Sequence, residues 1–83
     1  MASRSYRLKL SNQAEGVESQ SFFECRDETD AIIKALEIIS RRCQRGIYGV
    51  HTLFGPDGKI AIDQFLDNYG CPQAKYDPIR REA

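Results

Sequence analysis

The residues with the clearest chemical potential lie in the segment SRRCQRG, residues 40–46, where three arginines surround a cysteine. Guanidinium groups bind phosphate, and positive neighbours lower the pKa of a thiol, so this segment could contact nucleic acid or activate a nucleophile. A structural interpretation competes, because basic side chains near the carboxyl end of a helix stabilise it by about 0.3–1 kcal/mol each. We favour the structural interpretation and keep a nucleic-acid contact by Arg41, Arg42 and Arg45 as an alternative.

Catalysis or metal binding would have to come from three cysteines and one histidine. The sequence contains no Ser-His-Asp set in the order of a catalytic triad, no glycine-rich phosphate loop and no HExxH motif. Cys43 and His51 could form a nucleophile–base pair, but Cys43 falls on the apolar stripe of a predicted helix and is expected to pack as a small hydrophobic residue. A zinc site would need Cys25, Cys43, His51 and Cys71, which lack the close ligand pairs of structural zinc sites. We therefore predict no enzyme activity, no cofactor and no metal.

The cysteines also bear on the cellular compartment. Their number is odd and no CxxC motif occurs, so we expect reduced thiols in a cytoplasmic protein rather than a disulfide scaffold. The first ten residues contain no apolar segment typical of a signal peptide. No apolar run approaches the roughly 20 residues needed to span a bilayer, so we expect no membrane partner.

Length and charge indicate one small folded domain. The chain has 83 residues, of which 41% are hydrophobic and 29% charged, with a net charge of zero. This composition is far from that of disordered chains. Residues 11–30 hold six acidic residues and one basic residue, whereas the segments on either side are basic. Because dedicated nucleic-acid binders are usually basic overall, the neutral total argues against that class.

Alternation of apolar and polar residues predicts a β-hairpin near the N-terminus. Tyr6, Leu8 and Leu10 share one face of the first strand, and residues 11–16 form a polar loop that ends in glycine. In the second strand, residues 17–26, Phe23 and Cys25 share one face, and Phe22 and Glu24 lie on the other.

A helix follows the hairpin. Asp27 occupies an N-cap position with Asp30 three residues later, and Gly46 is placed to end the helix. The apolar stripe that would face the sheet has helical spacing and consists of Ile32, Ala35, Leu36, Ile39 and Cys43.

A second hairpin is predicted over residues 47–66, with its turn at GPDG, residues 55–58. We expect the last strand to continue to Phe65, with Ile60 and Ile62 on one face and Ala61, Asp63 and Phe65 on the other. Residues 67–83 have no periodicity and are predicted to be an irregular tail, loose or draped over the domain, with Tyr69, Tyr76 and Ile79 as the candidate anchors.

These elements predict an α+β fold: a two-layer ββαββ domain over residues 1–66, with one helix on a four-stranded antiparallel sheet. A single helix covers one face only, and the second face would carry some of Phe22, Phe65, His51 and Leu53. The tail, a second copy of the chain or another partner could cover that face.

In size and layout the chain resembles small stand-alone proteins of phages and mobile elements, anti-CRISPR proteins included. That resemblance implies a non-enzymatic protein-binding module that inhibits a host complex by occupying its surface. The acidic stretch is the candidate contact, as a phosphate mimic. Two alternatives stay open: a nucleic-acid-contacting protein, in which Phe22, Tyr48 and Phe54 would stack bases beside Arg7 and Lys9, and a domain that forms a homodimer through its open sheet face. The candidate partner-binding residues are Glu15, Glu18, Phe22, Glu24, Asp27 and Glu28.

Overall fold

The predicted ββαββ fold is confirmed by the computed structural model, which describes residues 3–12, 14 and 16–73. The four strands form one antiparallel sheet in the order β2-β1-β3-β4, and the helix packs on one face of it. The elements are β1 (Arg4–Asn12), β2 (Val17–Cys25), α1 (Glu28–Gln44), β3 (Val50–Gly55), β4 (Gly58–Ile60) and a short 3-10 helix (Asp63–Phe65).

The core lies between the sheet and α1. β1 is a central strand, and every second residue of it, from Tyr6 to Leu10, is buried beneath the helix. Leu36 and Ile39 of α1 are fully buried against this face. Burying one such side chain stabilises the fold by about 1.5–3 kcal/mol, so the alternating pattern of β1 and the stripe of α1 together define the two layers.

Both ends of α1 match the sequence prediction. Asp27 has extended backbone, and its Oδ1 accepts a hydrogen bond of 2.9 Å from the backbone N–H of Asp30. At the other end Gly46 adopts a φ of 79°, a left-handed conformation that favours glycine. The helix therefore begins and ends where its capping residues predict.

The last strand is shorter than predicted. β4 ends at Ile60, and the expectation that it runs on to Phe65 is wrong. Ile62 has helical backbone, and its carbonyl accepts a hydrogen bond of 2.9 Å from the N–H of Phe65. The chain thus leaves the sheet while keeping Ile62 in the core, where it is 1% exposed.

The two faces of the sheet also differ from the prediction. His51 and Leu53 lie on the covered face, because they pair with Leu10 and Leu8 and paired residues share a face. Phe65 packs against the core as well. Of the four residues considered for the second face, only Phe22 lies there, and it is exposed.

Residues 67–73 follow the 3-10 helix and are held against the domain. The backbone N–H of Gln73 donates to the carbonyl of Phe65 at 2.8 Å, and Leu66 forms an isolated bridge with Pro72. Tyr69, one of the predicted anchors, contacts Tyr48 with ring centroids 6.3 Å apart. The other two, Tyr76 and Ile79, lie outside the described residues. Among the described residues, α1 and the 3-10 helix both fall short of the length and apolar character that a membrane span requires.

Candidate functional site: the open face of the sheet

The face of the sheet opposite α1, here called the open face, carries a row of aromatic and basic residues. The strand register places one residue from each strand side by side in the order Phe22, Arg7, Phe54 and Lys59. The guanidinium carbon of Arg7 lies 4.3 Å from the centre of the Phe54 ring, which is a cation–π contact. Phe22 is 75% exposed, so this row presents an uncovered aromatic ring beside an oriented cation.

Polar contacts on the neighbouring positions orient this row. A nitrogen of the Arg7 guanidinium donates to the side-chain oxygen of Gln20 at 3.3 Å, and Lys9 forms an ion pair with Glu18 at 3.2 Å. Exposed pairs of this kind contribute at most about 1 kcal/mol, so their effect is mainly on geometry. An open depression of about 340 Å³ lies at the row and is lined by Ser5, Tyr6, Arg7, Phe22, Phe54 and Gly55.

The predicted acidic contact residues separate into two places. Glu18 and Glu24 share the open face with Phe22, because they have the same parity along β2. Asp27 caps α1 and Glu28 lies in its first turn, at the positive end of the helix dipole. Glu15 lies outside the described residues. The sequence cluster is thus split between the sheet face and the start of the helix.

The three arginines near the end of α1 have different environments. Arg41 and Arg45 are exposed, whereas Arg42 is half-buried and donates a hydrogen bond of 3.1 Å to the hydroxyl of Ser21. Burial lowers the pKa of Arg42. The segment therefore offers two exposed cations rather than three, and Arg42 links the helix to β2. Tyr48, the third predicted stacking residue, packs with Tyr69 and does not join the row of Phe22 and Phe54.

A disulfide joins Cys43 of α1 to Cys71, with Cα atoms 6.0 Å apart. The expectation of reduced thiols is therefore wrong for these two residues, whereas Cys43 does pack against the core from the apolar stripe of α1. Asp67 shapes the same segment, since its carboxylate accepts hydrogen bonds from the N–H groups of Tyr69 and Cys71 at 2.8 and 3.0 Å. A separation of 28 residues carries no sequence signal for this pairing; only the fold brings the two cysteines together.

Gly70 lets this segment approach the sheet. It has a φ of 84°, and a Cβ at this position would collide with the carbonyl oxygen of Gly49, just before β3. Beside this contact lies a cavity of about 310 Å³, whose walls include His51, Leu66 and Tyr69. Gly49 and Gly70 both line this cavity, so their close approach brings its two sides together.

His51 is 5% exposed, and burial lowers its pKa to about 4, with the positive charge of Arg42 acting in the same direction and the Gly49 carbonyl opposing it. Neither ring nitrogen forms a well-aligned hydrogen bond within the part of the chain that the structure describes. His51 is therefore neutral near pH 7.

Chemistry at the cysteines is restricted by this arrangement. Because Cys43 is bonded to Cys71, it supplies no thiolate for His51 to activate. Cys25 is the free cysteine. Its partial burial, and to a smaller extent the negative charge of Asp30, raise the pKa of its thiol. The thiol is therefore less nucleophilic at neutral pH. Among the described residues, no three histidine, cysteine or acidic side chains are grouped closely enough to hold a metal ion.

No protein family, curated protein sequence or solved structure matches this chain. The open face is therefore interpreted from its own residues.

Proposed function

We propose that this chain is a protein-binding module that contacts its partner through the open face of the sheet. The observation that carries the proposal is the row of Phe22, Arg7 and Phe54, in which an exposed ring lies beside a guanidinium held over a second ring. Aromatic and arginine side chains dominate the binding energy of protein interfaces. Covering Phe22 would contribute on the order of 2 kcal/mol.

The charges on this face define the chemistry of the partner. Arg7 and Lys59 lie in the aromatic row, and Lys9 lies one row away on β1. A matching surface would present an apolar group to Phe22 and carboxylates to Arg7 and Lys59. Glu18 and Glu24 lie at the β2 side of the face and would favour basic groups at that margin.

Single-stranded nucleic acid is a second candidate for the same face. Bases stack on exposed aromatic rings, and the exposed Phe22 lies beside Arg7, which itself lies over the ring of Phe54. The two glutamates on the face and the net charge of zero weaken attraction to phosphates, so we rank this candidate below a protein partner.

An inhibitory role for a phage or mobile element is one form that protein binding could take, and it is supported only by size and layout. A non-enzymatic protein is consistent with a disulfide-bonded Cys43 and with a Cys25 thiol of raised pKa. A cytoplasmic location stays a prediction, and the disulfide weakens it because such bonds are rare in that compartment.

A matched pair of charge reversals tests the open face. The tagged protein and the variants Arg7→Glu and Arg41→Glu would each be used for capture from a bacterial lysate, with and without nuclease. Arg7 lies in the aromatic row, whereas Arg41 is exposed on the helix. We expect a stoichiometric protein that survives nuclease to be lost with Arg7→Glu and retained with Arg41→Glu.

The other outcomes are informative. Material that disappears after nuclease, and with Arg7→Glu, would favour the nucleic-acid candidate. Loss with Arg41→Glu alone would contradict the proposal and assign binding to the end of the helix.

A further inference from the structure

The two edges of the sheet are protected very differently. β4 has three residues, a length that offers little backbone to another strand. β2 has nine residues and pairs with β1 without a bulge. It contains no proline or lysine, and its charged residues are Glu18 and Glu24. Native proteins usually shorten, bend or charge a free edge because it attracts other strands. In the described part of the chain, nothing pairs with the outer edge of β2.

We infer that β2 pairs antiparallel with β2 of a second copy of the chain, so that two sheets join into one of eight strands. The two-fold axis passes between the two strands at Phe22, so that Phe22 lies directly opposite Phe22 of the second copy. This register sets Gln20 opposite Glu24, an amide opposite a carboxylate. Two residues further along each strand, it sets Glu18 opposite Arg26, the residue that follows β2. The side chain of Arg26 is 75% exposed and also forms an ion pair of 3.3 Å with Asp30. The pair of aromatic rings and the pair of opposite charges are of kinds that stabilise neighbouring strands.

The charges of β2 select this register over its neighbours. An axis through Ser21 would place Glu18 opposite Glu24 twice, and like charges in that position repel. An axis through Gln20 would place Glu18 opposite Phe22, which leaves the ring beside a charge. The axis at Phe22 avoids both and sets the most exposed aromatic residue of β2 beside its copy.

Dimerisation would also extend the open face. The aromatic and basic row would continue through the axis, and two copies of Arg7 and Phe54 would flank a central pair of phenylalanines. The homodimer suggested by the sequence used the open face itself. In the present inference the backbone of the β2 edge forms the dimer, and the rest of the open face stays free for a partner. The dimer is therefore an addition to the proposed function.

Sedimentation equilibrium over a range of protein concentrations tests the dimer. We expect Phe22→Glu to raise the dissociation constant at least about tenfold, because it would place two carboxylates on the axis. Val50→Glu is the matched control, since Val50 is 68% exposed and lies on β3, away from this edge. It should leave the constant unchanged. A wild-type protein that stays monomeric, or one weakened equally by both variants, would overturn the inference.

A cysteine scan tests the register. Single cysteines at positions 20, 21 and 22 would be introduced into a Cys25→Ser background and oxidised. Disulfides need Cα atoms within about 7 Å. The register brings only the two residues at position 22 this close, whereas those at position 20 would be about 13 Å apart along the strand. Fastest cross-linking at position 22 supports the inference, and fastest cross-linking at position 20 or 21 overturns it.

Arg7 lies on β1 and not at this edge. The capture experiment with Arg7→Glu therefore tests the proposed function, the dimer experiment tests the edge, and a negative result in one leaves the other standing. A monomeric wild type would overturn the inference, and loss of its captured protein partner with both Arg7→Glu and Phe22→Glu would then support the open-face contact without a dimer.

Discussion

At the scale of single residues, His51 is the clearest case of an environment that changes chemistry. The ring is buried, and Arg42 adds a positive charge that opposes protonation. The folded protein therefore holds His51 neutral, whereas the unfolded chain protonates it at its ordinary pKa of 6.5.

This difference predicts a pH-dependent stability. Because the unfolded state binds the proton more readily, the free energy of unfolding should fall as the pH drops from about 6.5 to about 4. At 1.36 kcal/mol per pKa unit, the full loss is on the order of 2–4 kcal/mol. His51→Leu should remove this part of the pH dependence.

Urea denaturation of both proteins at several pH values measures the effect. The carboxylates are common to the two chains, so the difference between them isolates His51. Parallel pH profiles for the wild type and His51→Leu would contradict the prediction.

At the scale of elements, the disulfide connects α1 to the segment that follows the 3-10 helix. It closes a loop of 28 residues. The chain-entropy model assigns a loop of this size about 3–4 kcal/mol of stabilisation. We expect reduction to lower the free energy of unfolding by this amount in the wild type and in Cys25→Ser, because Cys25 takes no part in the bond.

Thiol titration checks the same bond directly. The unreduced protein should show one reactive thiol after denaturation, and three would contradict the disulfide. Urea denaturation with and without a reductant then gives its contribution to stability.

At the scale of the whole molecule, stability depends on one core between two layers. Leu36 is fully buried in that core. Leu36→Ala should cost about 2–5 kcal/mol, a large share of the roughly 4–12 kcal/mol expected for a domain of this size. Val50→Ala, on the open face, should change the free energy of unfolding by less than about 0.5 kcal/mol. A small effect of Leu36→Ala in urea denaturation would contradict this assignment of the core.

Local patterns were sufficient for the layers of the fold. The spacing of apolar residues predicts α1, and Asp27 and Gly46 predict its ends, because helix periodicity and capping depend on neighbouring residues. The alternation around Leu8 predicts β1 for the same reason. For the candidate site, the sequence predicts that Phe22 lies on the face opposite Phe23 and Cys25, because successive residues of a strand point to opposite faces of the sheet.

Other features depend on contacts between distant parts of the chain. The register of β3 against β1 places His51 under the helix, and alternation alone does not choose that face. The row formed by Phe22, Arg7 and Phe54 also needs this register. The Cys43–Cys71 bond and the close approach of Gly70 to Gly49 require the chain to turn back after β4. The amino-acid sequence by itself thus determined α1, the central strand β1 and the faces that these two elements bury, because propensity, capping and periodicity act over a few residues. Only the tertiary structure decided the open face, the disulfide and the environment of His51, because each depends on residues that folding brings together.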